Sequence, residues 1–151
     1  MKKHFRFIAI IFFLFMLVGC SAQAVPAVKA PEAEITLTPM KSGLVGTLIS
    51  TSGSTPTALG NTPVYLAPVY WDENRKEGAF ALDTANGPSA ISKEDGSFVI
   101  ANIEPNEYVI IVGEIIGTNV IIPDEKGDAR VVSLTADQVY DVGELRVALG
   151  N

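Results

Sequence analysis

The chain has 151 residues, with one Cys, one His and a formal net charge of −6. That length holds one ordinary domain with room for a tail. A single Cys excludes an internal disulfide and a Cys-rich zinc site, and a single His excludes a multi-His metal centre. With 17 Asp and Glu against 11 Lys and Arg, the chain lacks the basic face that nucleic acid requires.

The N-terminus runs Met1-Lys2-Lys3-His4-Phe5-Arg6, then Phe7 to Val18 without a charge. A short basic segment followed by such an apolar run reads as a secretory signal peptide. It is too short for a permanent span, which needs ~20 apolar residues. The run ends in Leu17-Val18-Gly19-Cys20, which resembles the lipobox of bacterial lipoproteins. The resemblance implies cleavage after Gly19, a diacylglyceryl group on the Cys20 sulfur and an acylated new amino terminus. It thus implies a membrane partner, with the chain anchored at a bacterial cell membrane or outer membrane and facing the periplasm or the exterior. The alternative is an ordinary signal peptide with an incidental Cys, cleaved after Ala22 or Ala24. Loss of residues 1–19 removes Lys2, Lys3, Arg6, His4 and five of the seven Phe. The mature chain then carries eight Lys or Arg against seventeen Asp or Glu, a net of −9.

Residues 20–40 hold Pro26, Pro31 and Pro39 among Ala and Val, with no sustained period. A stretch of this kind is an extended tether, reaching on the order of 60 Å at ~3.1 Å per residue. The alternative is a first strand from Ile35 to Thr38.

From residue 41 to 151 the pattern is one of short apolar runs divided by Gly, Pro, Asn and Asp. Strands are expected at about 43–50, 62–70, 78–83, 96–102, 107–113, 118–122, 129–135 and 142–149, several alternating with period two. Phe98, Ile100 and Ile103 turn inward, and so do Leu145, Val147 and Leu149. Asp95-Gly96, Lys126-Gly127, Gly60-Asn61 and Asn86-Gly87-Pro88 supply the turns. The fold class is therefore all-β, a seven- to eight-stranded Greek-key β-sandwich.

Three segments together resemble the carboxypeptidase regulatory-like family, whose fold is transthyretin-like (prealbumin-like). They are Gly43-Leu44-Val45-Gly46, Thr62-Pro63-Val64-Tyr65-Leu66, and the run from Ser92 through Asp95-Gly96-Ser97-Phe98 and Pro105-Asn106 to Tyr108. The family's usual Gly after the Pro is Asn106 here, a residue that also tolerates positive φ. Phe98 is expected to fill the core. Tyr108 should start a strand with its hydroxyl on a backbone group, as in a tyrosine corner.

Little chemistry is on offer. Without His, the mature chain cannot assemble a Ser-His-Asp or Cys-His site, and it has no phosphate-binding Gly loop or G-x-S-x-G elbow. The expectation is no enzyme, no cofactor and no metal. Two acidic groups, Glu94 with Asp95 and Asp124 with Glu125 and Asp128, are weighed as calcium ligands and read as solvated turns. Pilin and adhesin modules of this general architecture carry a Lys–Asn isopeptide bond. Lys41 lies near the first strand, but the last strand lacks a matching core Asn.

The segment Tyr65 to Arg75 carries the ligand-binding candidates Tyr65, Trp71, Asp72, Asn74 and Arg75. Flat rings beside polar groups suit a sugar; the competing reading has Tyr70 and Trp71 closing one end of the sandwich. The leading expectation is a lipid-anchored interaction or adhesion module. The alternatives are a carbohydrate- or peptide-binding module, and an accessory subunit that lends a sheet edge to a larger envelope complex.

Overall fold

The computed structural model describes residues 35–149. The signal segment, Cys20 and the tether up to residue 34 lie outside the described residues. Ten strands and no helix are described: β1 (Ser42–Ser50), β2 (Thr57–Ala58), β3 (Pro63–Trp71), β4 (Gly78–Phe80), β5 (Ser89–Ile91), β6 (Ser97–Ile103), β7 (Glu107–Gly113), β8 (Asn119–Ile121), β9 (Val131–Ser133) and β10 (Val139–Val147). They form two sheets. In the first, β1 is central, paired along its length with parallel β10 and on its other side with antiparallel β6 and β2. In the second, β3 and β7 form an antiparallel centre, with β4 and β5 pairing β3, and β8 and β9 pairing β7.

The alternation of each strand decides what lies between the sheets. Leu44 and Leu48 of β1, Phe98 and Ile100 of β6, and Leu145 and Val147 of β10 meet Val64, Leu66, Ile110 and Val112 of the second sheet. Each buried aliphatic or aromatic side chain of this kind contributes about 1.5–3 kcal/mol through its removal from water. Ile103 also points inward although its parity with Ile100 is wrong. A register shift between Ser42 and Leu44 of β1 opposite β6 corrects it, with Asn102 at φ 57. Tyr108 is buried, and its hydroxyl donates to the Glu104 carbonyl at 2.9 Å.

The turn before β6 forms as the sequence predicts. Gly96 adopts φ 80, and its N–H donates to the Lys93 carbonyl at 2.8 Å. The Asp95 carboxylate accepts from the Ser97 N–H and hydroxyl at 2.9 and 2.6 Å. One detail is corrected. Asn106 is not a positive-φ residue; its Oδ1 accepts from the Glu107 N–H at 2.8 Å instead, and the left-handed Asn of this segment is Asn102.

The alternative of a first strand at Ile35 to Thr38 is not what forms. Instead this stretch leads onto one end of the sandwich: the Thr38 N–H donates to Asn102 Oδ1 at 2.7 Å, and the Met40 N–H to Asp137 Oδ1 at 2.8 Å. The start of β1 lies beside the end of β6, in the pair Ser42↔Ile103. The start of β7 lies beside the end of β3, in the pair Pro68↔Tyr108. The chain therefore enters the sandwich at the same end as the β6–β7 turn.

Candidate functional site

The candidates from Tyr65 to Arg75 fall on two surroundings. Tyr65 and Trp71 share the outer face of the second sheet with Ala67 and Val69. That face is not bare. Ala67, Val69, Val109 and Ile111 are buried there, with Tyr65, Trp71, Leu82 and Ala129 packed over them as a second small core. The β3–β4 hairpin shapes the rest. Asp72 Oδ1 accepts from the N–H groups of Lys76 and Glu77 at 2.6 and 3.2 Å, and Arg75 takes φ 53. Asn74 is exposed on the same loop.

Trp71 is half-buried and fully engaged. Its indole N–H donates to Glu107 Oε2 at 2.5 Å, and the Arg75 guanidinium lies over the ring, 5.2 Å from its centroid. Gly78 meets the ring from another side, since a Cβ there would stand 2.8 Å from Trp71 Cζ3. Arg75 closes the set with hydrogen bonds to Glu107 Oε1 and Oε2 at 2.8 and 2.6 Å. The Arg75 and Trp71 hydrogen bonds hold the Glu107 carboxyl below the ordinary carboxylate range. Trp71, Arg75 and Glu107 thus satisfy one another, and the sequence did not single out Glu107 because it lies 36 residues from Trp71.

An open cleft of about 720 Å³ lies at the end where the chain enters. Pro68 and Tyr70 of β3, Ile100 to Asn102 of β6, and the loop from Ala81 to Ser89 wall it, with Glu104 and Tyr108 at the turn. Tyr70 has the inward parity of Leu66 but lies beyond the covering sheet, so it is 60 % exposed, the most open aromatic among the described residues. Asp83 braces the loop: its Oδ1 accepts from the N–H groups of Ala85 and Asn86 at 3.0 Å each, and these bonds draw its pKa down. Asn102 Oδ1 is taken by Thr38, which leaves the amide NH₂ as a donor without a partner among the described residues. The Tyr108 phenol is pushed up chiefly by burial, with smaller contributions from Glu104 and Tyr70. The sequence signal that could have found this site is Tyr70 itself, read there only as an end-closing residue.

The acidic turns behave as turns. Asp124 Oδ1 accepts from the N–H groups of Lys126 and Asp128 at 2.8 and 3.0 Å. Among the described residues no group of three or more His, Cys, Asp or Glu is placed to hold a metal ion. Lys41 Nζ contacts the Glu104 carboxylate, whose side chain is 71 % exposed.

No protein-family model matches the chain, and neither does any curated protein. Solved structures with some similarity include a proposed carbohydrate-binding protein from Pseudomonas aeruginosa, at 16% identity and a TM-score of 0.46, covering 74% of this chain and 92% of that one. A minor pilin of Streptococcus agalactiae matches at 14% identity and 0.39, covering 75% of this chain and 47% of the pilin. A 9R-lipoxygenase from Cyanothece matches at 15% identity and 0.39, covering 76% of this chain and 18% of the enzyme. What each of those proteins binds or does is a statement about that protein.

Proposed function

We propose that this chain is a non-enzymatic, lipid-anchored protein of the bacterial cell envelope, whose sandwich is an interaction or adhesion module. The observation that carries the reading is the open cleft: an exposed ring, Tyr70, over a polar wall at one end of the two-sheet body. A volume of about 720 Å³ lies within the ~300–1,000 Å³ typical of small-ligand sites. The anchor is the Cys20 sulfur, with residues 1–19 removed. The carboxypeptidase regulatory-like, transthyretin-like kinship belongs to the same proposal; Gly96, Phe98 and Tyr108 take the structural parts that it implies.

A subunit that adds its sheet edge to a partner is the weaker reading. The free side of β10 carries exposed Asp141, Glu144 and Arg146 and a bulge at Gly143, devices that guard an edge. The free side of β6 is broken by Asn102.

Two measurements test the proposal. A fatty-acid label should enter the wild-type chain and not Cys20→Ala; equal labelling refutes the anchor. Purified wild-type chain should be retained on isolated cell envelopes and Tyr70→Ala should not; equal retention refutes the cleft as the working surface.

A further inference from the structure

The chemistry of the cleft is specific enough to name its ligand class, on the reading above that the cleft is the binding surface. We infer that it takes an uncharged saccharide, with one sugar ring stacked on Tyr70 and its hydroxyls bonded to the amides of Asn86 and Asn102 and the hydroxyl of Ser89.

Charge narrows the choice first. No Lys or Arg is among the residues lining the cleft, while Asp83 and Glu104 are. A phosphate, uronate or sialate would therefore meet carboxylates, and the adjoining cation, Lys41, is already paired with Glu104, so the cost in desolvation is poorly offset. A cationic ligand fares little better, because both carboxylates are already committed. Asp83 holds the backbone of its own loop, and Glu104 is paired with Lys41. What remains is neutral hydrogen-bonding capacity beside a flat apolar face.

Backbone geometry then separates a saccharide from an extended peptide. Strand addition needs a run of regularly spaced backbone donors and acceptors. The walls of this cleft interrupt such a run. Pro68 and Pro88 have no N–H, and the Pro88 and Pro68 carbonyls already accept from Leu66 and Ala81 at 2.9 and 3.4 Å. On the facing wall Asn102 leaves the extended region at φ 57. Side-chain amides and a hydroxyl around an aromatic face match a ring of hydroxyls better. The Asn102 NH₂ offers donors, the Asn86 carbonyl oxygen an acceptor beside the NH₂ that faces Asp83, and the Ser89 hydroxyl both, which suits sugar hydroxyls that donate and accept alike.

The competing aromatic, Trp71, is excluded as the platform by its own contacts. Its N–H is used by Glu107, and Arg75 and Gly78 occupy its surroundings.

The test is a binding survey of the purified chain against three probe sets: neutral oligosaccharides, acidic oligosaccharides and unmodified peptides. Hits are followed by titration with wild type, Tyr70→Ala, Tyr70→Phe and Asn102→Ala. Neutral oligosaccharides should bind. Tyr70→Ala and Asn102→Ala should weaken them at least about tenfold and Tyr70→Phe should keep most of the affinity. Thermal melting should stay within a few degrees of wild type for the two Tyr70 variants, whereas Asn102→Ala, placed at φ 57 and without its bond to Thr38, should melt lower yet still be folded at the temperature of the titration. Binding of peptides alone, or of acidic sugars in preference to neutral ones, overturns the inference while leaving a binding module in place. Binding of none of the three sets overturns the inference, while the interaction module itself is refuted only by the envelope-retention test above. Neutral-sugar binding that survives Tyr70→Ala but is lost on Trp71→Phe moves the site to the other face and also overturns it.

Discussion

Gly46 stands directly opposite Phe98 in the β1–β6 ladder, so Gly46→Ala probes whether the core is built around that ring. A Cβ at position 46 would lie 2.9 Å from both Cε1 and Cζ of Phe98 and 2.7 Å from Val142 Cγ2. Val142 is half-buried and can turn aside, but Phe98 is 1 % exposed and enclosed by both sheets. Overpacking of this kind costs about 1–3 kcal/mol. Replacing Gly by Ala returns about 0.4–1 kcal/mol by restricting the unfolded chain. The expected net loss is about 1–2 kcal/mol, or about 4 °C per kcal/mol in Tm for a domain of this size. Phe98→Leu removes the ring edge and costs about 1–3 kcal/mol by itself. In that background the Ala methyl enters space that the ring has left, so the double variant should recover about 1 kcal/mol relative to the sum of the single losses. Urea denaturation of the four proteins, with a common slope, measures the cycle. A Gly46→Ala variant as stable as wild type, or two losses that simply add, would refute the packing argument.

Three further outcomes are expected. Glu107 has a folded pKa below its unfolded one, so its contribution is present above the unfolded value and is lost as pH falls through the folded value. Melting followed from about pH 6 to about pH 3 should therefore show a gap between wild type and Glu107→Gln that closes on the acid side. Ser92 is buried and bridges two loops, accepting from the Thr62 N–H at 3.1 Å and donating to the Leu59 carbonyl at 2.7 Å. Ser92→Ala should cost about 1–3 kcal/mol in urea denaturation by leaving those groups unpaired. Met40 has φ 67 and is 68 % exposed, so it carries backbone strain without packing benefit; Met40→Asn should raise stability by about 0.5 kcal/mol in the same assay.

The long strands were legible because their side chains alternate. Phe98 and Ile100, or Leu145 and Val147, announce a buried face by spacing alone, and the structure buries all four. The turn at Asp95-Gly96 was legible from its residue types. The two extra strands were not. β2 has two residues and β5 three, too few to show a period, and they exist through pairing with β1 and β3. The last strand begins at Val139, earlier than the expected 142, because Asp141 and Gly143 look like a break; they form a bulge within a continuous pairing to β1. The candidate site was half legible. Composition marked the stretch from Tyr65 to Arg75 as unusual, but only long-range geometry decides which ring is free. Glu107 and Arg75 engage Trp71, and the loop from Ala81 to Ser89 leaves Tyr70 uncovered.

The parallel pairing of β1 with β10 has a consequence for how the molecule is made. Partners such as Gly43 and Val139 lie about a hundred residues apart, whereas β6 follows β1 by about fifty. Contacts of such long range close slowly. A folding chain can thus hold β1 against β6 while the other side of β1 still waits for its strand. That open side accepts the β10 of a second copy on the same terms as its own, since every contact is reproduced. Concentrated refolding should accordingly yield exchanged dimers, and dilution before collapse should yield monomers, with the order of strand arrival setting the partition.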